Sequence, residues 1–271
     1  MASTYAHYRF GKEVLKRLPA HIEAQIMQNM NLYMIGLHGP DILFYYKALF
    51  QNPVNQVGYD MHAVPAKKFF AHALKIVKET HNRHNELSYV YGFICHFVLD
   101  SAVHGYIDEK ISASGVAHTE IEVEFDRMLM IRDGYDPLSH SLTGHFEVKD
   151  EDCKVIAEFF PDLSETDIKK SIKSMKSYNA LLLAPQEWKR RLIYAILKVT
   201  GNYREMHGCI VNRKANPKCK DSNEKLDELY TGAVSIAADL ITEFHDTFIT
   251  GKDVLNQRYE KTFGADQGDS K

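Results

Sequence analysis

Apolar residues recur at helical spacing along almost the whole chain, and no stretch of useful length alternates as a half-buried strand would. That pattern restricts the fold to an all-α arrangement, in which each helix buries an apolar stripe against its neighbours. Val14, Leu15 and Leu18 open an amphipathic segment that Pro19 interrupts or restarts. Residues 26–35 continue in helix up to Gly36 and the Gly39-Pro40 break. Residues 41–50 read as a short buried helix and 52–59 as a loop, followed by a long helix over 66–80 with Pro65 suited to its first turn. Further helices are expected over 85–106, 118–131, 188–203 and 224–249. Another starts at Ser164, capped by that residue and with Glu165 and Asp167 in its first turn. Residues 132–152 and 212–223 read as an irregular connector and a polar surface loop. No repeat or shift in composition divides the chain. Residues 1–263 are therefore expected to form one compact multi-helix domain, with 264–271 a disordered tail.

With 271 residues, 45% of them hydrophobic, the chain can bury a sizeable core. Its net charge of -3 gives no general attraction to DNA or to anionic lipid, so phosphate binding must come from a local site. The first twenty-five residues include Arg9, Lys12, Glu13, Lys16 and Arg17 and hold no apolar run of signal-peptide length. No later stretch reaches the roughly 20 apolar residues needed to cross a bilayer, and the expectation is a soluble, cytoplasmic protein. Cys95, Cys153, Cys209 and Cys219 lie far apart without a CxxC pair and read as free thiols. Cys209 and Cys219, with His207 nearby, fit no standard zinc spacing.

The chain has fourteen histidines, and some of them are patterned. His96, Asp100 and His104 follow one another at intervals of four in YGFICHFVLDSAVHGY. On a helix this stacks imidazole, carboxylate and imidazole in one column, roughly 6 Å apart along the axis, while Phe93, Phe97 and Val98 can face the core. His118 and Glu122 in AHTEIEVEFD repeat the interval, a spacing by which one helix can grip a zinc ion. Asp126 continues that column as a candidate acceptor that orients an imidazole. Any one such pair is more often solvated or capping than metal-bound. Two columns together are harder to explain that way, because each buried polar group needs a partner.

CHFVLDSAVHGYI followed by VAHTEIEVEFD resembles the zinc-dependent phospholipase C family, an all-helical fold shared with the single-strand-specific zinc nucleases. His7 in TYAHYRFG, Asp41 in GLHGPDILFYY and His62 in GYDMHAVPAKKFF match the family's earlier motifs, and GAVSIAADLITEFHDTF resembles its final helix. The resemblance implies a phosphoric ester hydrolase with two or three zinc ions and a phosphodiester substrate, phospholipid among the candidates. One zinc would take Asp41, His62 and His96, with Asp100 shared. A second would take His104, His118 and Glu122, and a third His7, Asp100 and the chain's own amino terminus. Asp41 would serve as a metal ligand, as the base that orients water, or as both. The family's secreted members ligate zinc through an N-terminal Trp exposed by processing; here the start is Met1, and Ala2 is the substitute if Met1 is removed.

His38 is a further candidate ligand, and His72 competes with His62 for the early position. His81, His84, His140 and His145 read as surface or loop histidines, and Tyr45, Tyr46, Phe69 and Phe70 as core. Two other functions fit the same residues. A single-strand zinc nuclease would need stacking aromatics and a positive groove, and no extended nucleic-acid surface is visible in this nearly neutral chain. A non-catalytic helical protein would hold one closed, four-coordinate metal.

Overall fold

The computed structural model describes residues 4–80 and 83–264, apart from the side chains of Arg204 and Glu205. All regular structure among the described residues is helical, as expected. The helices are α1 (Thr4–Leu15), α2 (Ala20–Gln28), α3 (Met30–Gly36), α4 (Pro53–His62), α5 (Lys67–Glu79) and α6 (Arg83–Ser114). They continue with α7 (His118–Arg132), α8 (Asp150–Glu158), α9 (Glu165–Leu182), α10 (Glu187–Val199), α11 (Tyr203–Met206) and α12 (Lys220–Thr250). The tail expected at 264–271 lies, apart from Gly264, outside the described residues, as does His81. No described helix is long and apolar enough to cross a membrane.

Helix α6 is the axis of the molecule. Every residue from 86 to 100 is buried, so α6 has no solvent face over four turns and is packed on all sides. Phe93, Ile94 and Phe97 are at most 1% exposed, and each such side chain contributes roughly 1.5–3 kcal/mol of burial. α3 and α12 pack along α6, while α1 bridges α6, α7 and α12. The α3–α6 crossing brings backbone against backbone. A Cβ added to Gly92 would lie 2.2 Å from the Tyr33 carbonyl oxygen, and one added to Gly36 would lie 2.3 Å from that of Tyr89. Only glycine permits this approach.

Several boundaries differ from the sequence expectation. Residues 52–59 are not a loop but the cap and body of α4. Asn52 accepts from the Val54 and Asn55 N–H groups, Asn55 answers onto the Asn52 N–H, and Pro53 fills the first helical position. The stretch 41–50 is a 3-10 turn over Gly39–Tyr45, after which Leu49 and Phe50 are exposed, at 59% and 73%. Residues 26–35 break at Asn29, and α6 runs eight residues beyond Tyr106 because Ile107 and Ile111 carry the apolar phase of Val103 onward. The region 132–152 yields a helix start at Asp150. The Ser164 cap is present, accepting from the Asp167 N–H in a reciprocal capping box.

Candidate metal centre

Three turns of α6 supply the middle of the site. His96 and Asp100 are almost fully buried, and His104 one turn later is partly exposed. The three-residue link 115–117 reverses the chain so that the start of α7 returns beside His104, bringing His118 and Glu122 with it. The 3-10 turn delivers Asp41, and the last residue of α4 delivers His62. These seven side chains converge in two groups, Asp41–His62–His96–Asp100 and His104–His118–Glu122, with the candidate ligand atoms of each group within 4.8 Å of one another.

The spacings suit a divalent cation. Bonds of about 2.0–2.1 Å to a tetrahedral zinc place ligand atoms about 3.3 Å apart. In the first group, His62 Nε2 is 3.1 Å from Asp41 Oδ1 and 3.7 Å from Asp100 Oδ2, and His96 Nε2 is 3.1 Å from Asp100 Oδ2. In the second group, Glu122 Oε1 is 3.1 Å from His118 Nε2 and 3.7 Å from His104 Nε2. Although His96 Nε2 and Asp100 Oδ2 are close and buried, neither makes a hydrogen bond, and Glu122 Oε2 is likewise buried without one. Such orphaned donor atoms are costly unless a cation satisfies them. The donor set therefore fits zinc.

Two of the imidazoles are oriented by main-chain carbonyls. His62 Nδ1–H donates to the Gly58 carbonyl at 2.8 Å and His104 Nδ1–H to that of Asp100 at 3.0 Å. Both partners lie one turn back on the same helix, which leaves Nε2 as the ring nitrogen that faces the group. Gly39, at φ +47°, gives the His96 ring its place, since a Cβ there would stand 2.2 Å from His96 Cδ2.

Asp100 belongs to the first group and also faces His7. Its Oδ2 faces the first group, and its Oδ1 lies 3.0 Å from His7 Nε2 and 3.9 Å from His104 Nδ1. Burial alone would raise its pKa, yet the imidazoles of His96, His104, His7 and His62 hold the carboxyl well below the usual range. Asp41 is treated similarly. Burial works against its charge, but His62 and His96 bring it down to about 2. Burial would likewise raise Glu122, which His118 holds below its ordinary value. Burial opposes a charge on His62, but Asp100 and Asp41 outweigh it and push the imidazole up to about 10.

His7 stacks on His96 with ring centroids 4.5 Å apart. With Asp100 and Glu122 it borders a cavity of about 20 Å³, room for roughly one water-sized particle. The amino terminus named for a third site lies outside the described residues. Asp126, expected to orient an imidazole, instead accepts the Tyr5 N–H at 3.0 Å and the Ala6 N–H at 2.7 Å. It thereby clamps the first turn of α1 and sets the position of His7. His38 joins neither group: its Nε2 pairs with His145 Nε2 at 2.8 Å, and burial and His145 keep it far below the ordinary histidine pKa. His145 lies in a loop, partly buried, and burial and Lys176 bring its pKa down to about 3. His72 lines a separate apolar cavity of about 500 Å³ with Phe159, Phe160 and Phe263. All four cysteines are free, and Cys209 and Cys219 belong to neither donor group.

Sequence reasoning missed Gly39, Phe44 and Phe263. Phe44 and Phe263 pack on His62, at 5.1 and 5.8 Å between ring centroids, and Phe263 also backs His96 at 6.1 Å. The Gly39-Pro40 break was the only hint of the first, and nothing in the pattern singled out the two aromatics.

An all-helical body with two histidine–carboxylate groups sharing one helix defines a class of multinuclear metal-binding proteins. Within that class, the family model for zinc dependent phospholipase C matches residues 6–183, and the chain belongs to that family. No curated protein and no solved structure matches the chain.

Proposed function

We propose that this protein is a zinc-dependent phosphoric ester hydrolase of phospholipase C type, acting on a phosphodiester. One observation carries the reading. Two donor groups lie along one helix and are closed at the centre but open at the edges, with side-chain exposure of 0% at His96, 21% at His62 and 35% at His118. A closed structural site would have no such edge, whereas a hydrolytic one needs a position for solvent and substrate.

In this reading Asp41, His62 and His96 hold one zinc with Asp100 shared, and His104, His118 and Glu122 hold a second. His7 and Asp100 belong to a third position beside the small cavity. Two zinc ions against three carboxylates leave a net charge of about +1, attractive to an anionic phosphodiester. When bound, zinc supplies Lewis acidity and makes water a usable nucleophile near neutral pH. The chain's own part is orientation and charge. Asp100 links the first group to His7, and the carbonyls of Gly58 and Asp100 aim the imidazoles of His62 and His104. Asp41 would serve as a metal ligand, as the base that orients water, or as both.

The test is to count metals by native mass spectrometry and assay the same preparation on a soluble phosphocholine ester and on single-stranded DNA. Two or three zinc ions with chelator-sensitive ester hydrolysis support the reading. One zinc and no turnover would favour the non-catalytic alternative, and preferential DNA cleavage the nuclease.

Zinc binding should also release protons. Because the folded metal-free His62 titrates near 10, it is protonated at pH 7 and must give up that proton to become a ligand. Apparent affinity should rise about tenfold per pH unit for that one proton and level off as pH passes through the raised pKa. The same shift means the His62 charge stabilises the metal-free fold fully below 6.5 and ceases to do so as pH rises through about 10. Calorimetry in buffers of different ionisation heat measures the release; a buffer-independent heat would contradict it.

A further inference from the structure

Residues 184–219 form a satellite on the main body, just beyond the stretch that matches the family. One face of α10 is spent on a small core of its own, where Ile193 and Leu197 meet Ala184 and Ile210. The buried Arg190 ties the satellite together through the Ala184 and Val211 carbonyls, at 3.2 and 2.7 Å.

The opposite face of α10 is also apolar and has no partner among the described residues. Trp188, Leu192, Ile196 and Val199 follow at intervals of four, four and three, one stripe along the helix, and are 67%, 53%, 52% and 88% exposed. The other large exposed apolar side chains fall on several different helices and loops. A continuous stripe on one helix marks an interaction face.

The charge around the stripe indicates what covers it. From the first residue of α10, residues 187–220 contain nine basic residues and two acidic, in a chain whose net charge is -3, and Glu187 pairs with Arg191 and Arg213. Lys198, Lys214, Lys218 and Lys220 are exposed, and no ion pair to a described carboxylate occupies them. The near-neutral total conceals a local positive field. An apolar stripe flanked by lysine and arginine is the arrangement that lies in the interface of an anionic bilayer, burying the stripe among acyl chains and placing the cations at phosphate level. A second copy of the same face would bring like charges together. Single-stranded nucleic acid would meet one tryptophan and three aliphatic side chains where it needs a series of stacking rings.

The satellite is also fixed to the metal centre. The turn His207–Cys209 packs so closely on α7 that a Cβ on Gly208 would stand 2.6 Å from the Glu120 main-chain nitrogen. Asn212 and Asn216 hydrogen-bond to Glu120 and Glu124. These anchors alternate along α7 with His118 and Glu122. We propose that the exposed face of α10 docks the enzyme onto anionic phospholipid surfaces and presents the α7 side of the metal centre to lipid. This rests on the phospholipase reading above.

The chain's single tryptophan, Trp188, lies in the stripe and reports on it directly. The zinc-loaded full-length protein is mixed with phosphatidylcholine vesicles with and without phosphatidylserine. The expected result is co-flotation and a blue shift of Trp188 emission that both depend on phosphatidylserine and weaken with salt. The double variant Leu192→Glu/Ile196→Glu should lose vesicle binding by at least about tenfold. Both positions are solvent-facing, so its helical content and its turnover of a soluble phosphocholine ester should match the parent. Lys198→Glu/Lys214→Glu should weaken only the phosphatidylserine-dependent part. Retained binding in the Leu192/Ile196 variant overturns the proposal. So does a parent protein that ignores vesicles, whether it instead forms a dimer abolished by that variant or binds single-stranded nucleic acid. The soluble-ester assay reads the hydrolase separately, so failure of docking is distinguishable from failure of the enzyme.

Discussion

Asp100→Asn should lower phosphoester turnover on the order of 10³-fold and cost the protein bound zinc, while leaving the helical fold in place. The exchange preserves size but removes a buried negative charge that faces His96 through Oδ2 and His7 through Oδ1. A metal positioned at the reacting phosphate contributes several kcal/mol of charge stabilisation, and at 1.36 kcal/mol per decade that corresponds to roughly 10³-fold. Steady-state kinetics paired with zinc analysis of the same sample checks this. Undiminished activity and zinc content would remove the shared-ligand role and with it the proposed division of the site.

The second large effect concerns the scaffold. Gly92→Val should cost at least about 3 kcal/mol, because its Cβ would meet the Tyr33 carbonyl oxygen at 2.2 Å and the Gly36 backbone at 3.0 Å, and neither is a side chain that can swing aside. For a chain of this size that is a fall in melting temperature of roughly 6–12 °C. Because Gly92 lies one turn before His96, zinc affinity should decline along with stability. A thermal melt of the variant within a degree or two of the parent would show that the crossing can open without penalty.

How much of this was legible beforehand varies by level. The fold class was, because helical periodicity and the lack of alternation are properties of the local pattern. The intervals of four at His96, Asp100 and His104 and at His118 and Glu122 were legible for the same reason, since a helix converts spacing into geometry. That α1, the 3-10 turn and α4 would bring His7, Asp41 and His62 to the same place was not contained in any local pattern; it came only from the family resemblance. α4 is hidden from a local reading although Asn52-Pro53 is a good helix start, because Gly58 interrupts the helical pattern, yet it is helical and packs beneath Phe44. Asp126 was assigned to an imidazole because its column pointed there, but a carboxylate can equally receive main-chain N–H groups from a helix that sequence cannot place. The net charge is a sum over the chain and does not tell how the cations are distributed, nine of them within residues 188–220.

The middle of both donor groups hangs on a single unbroken helix, so the backbone itself acts as a ruler for the distance between them. Its repeat is set by main-chain hydrogen bonding, and no side-chain replacement on a neighbouring element can stretch it. Loops around the centre can thus drift in length and composition while the gap between the two halves stays constant. Adding or deleting one residue between His96 and His104 would swing the later donor around the axis by about 100° and dismantle the pair at a stroke.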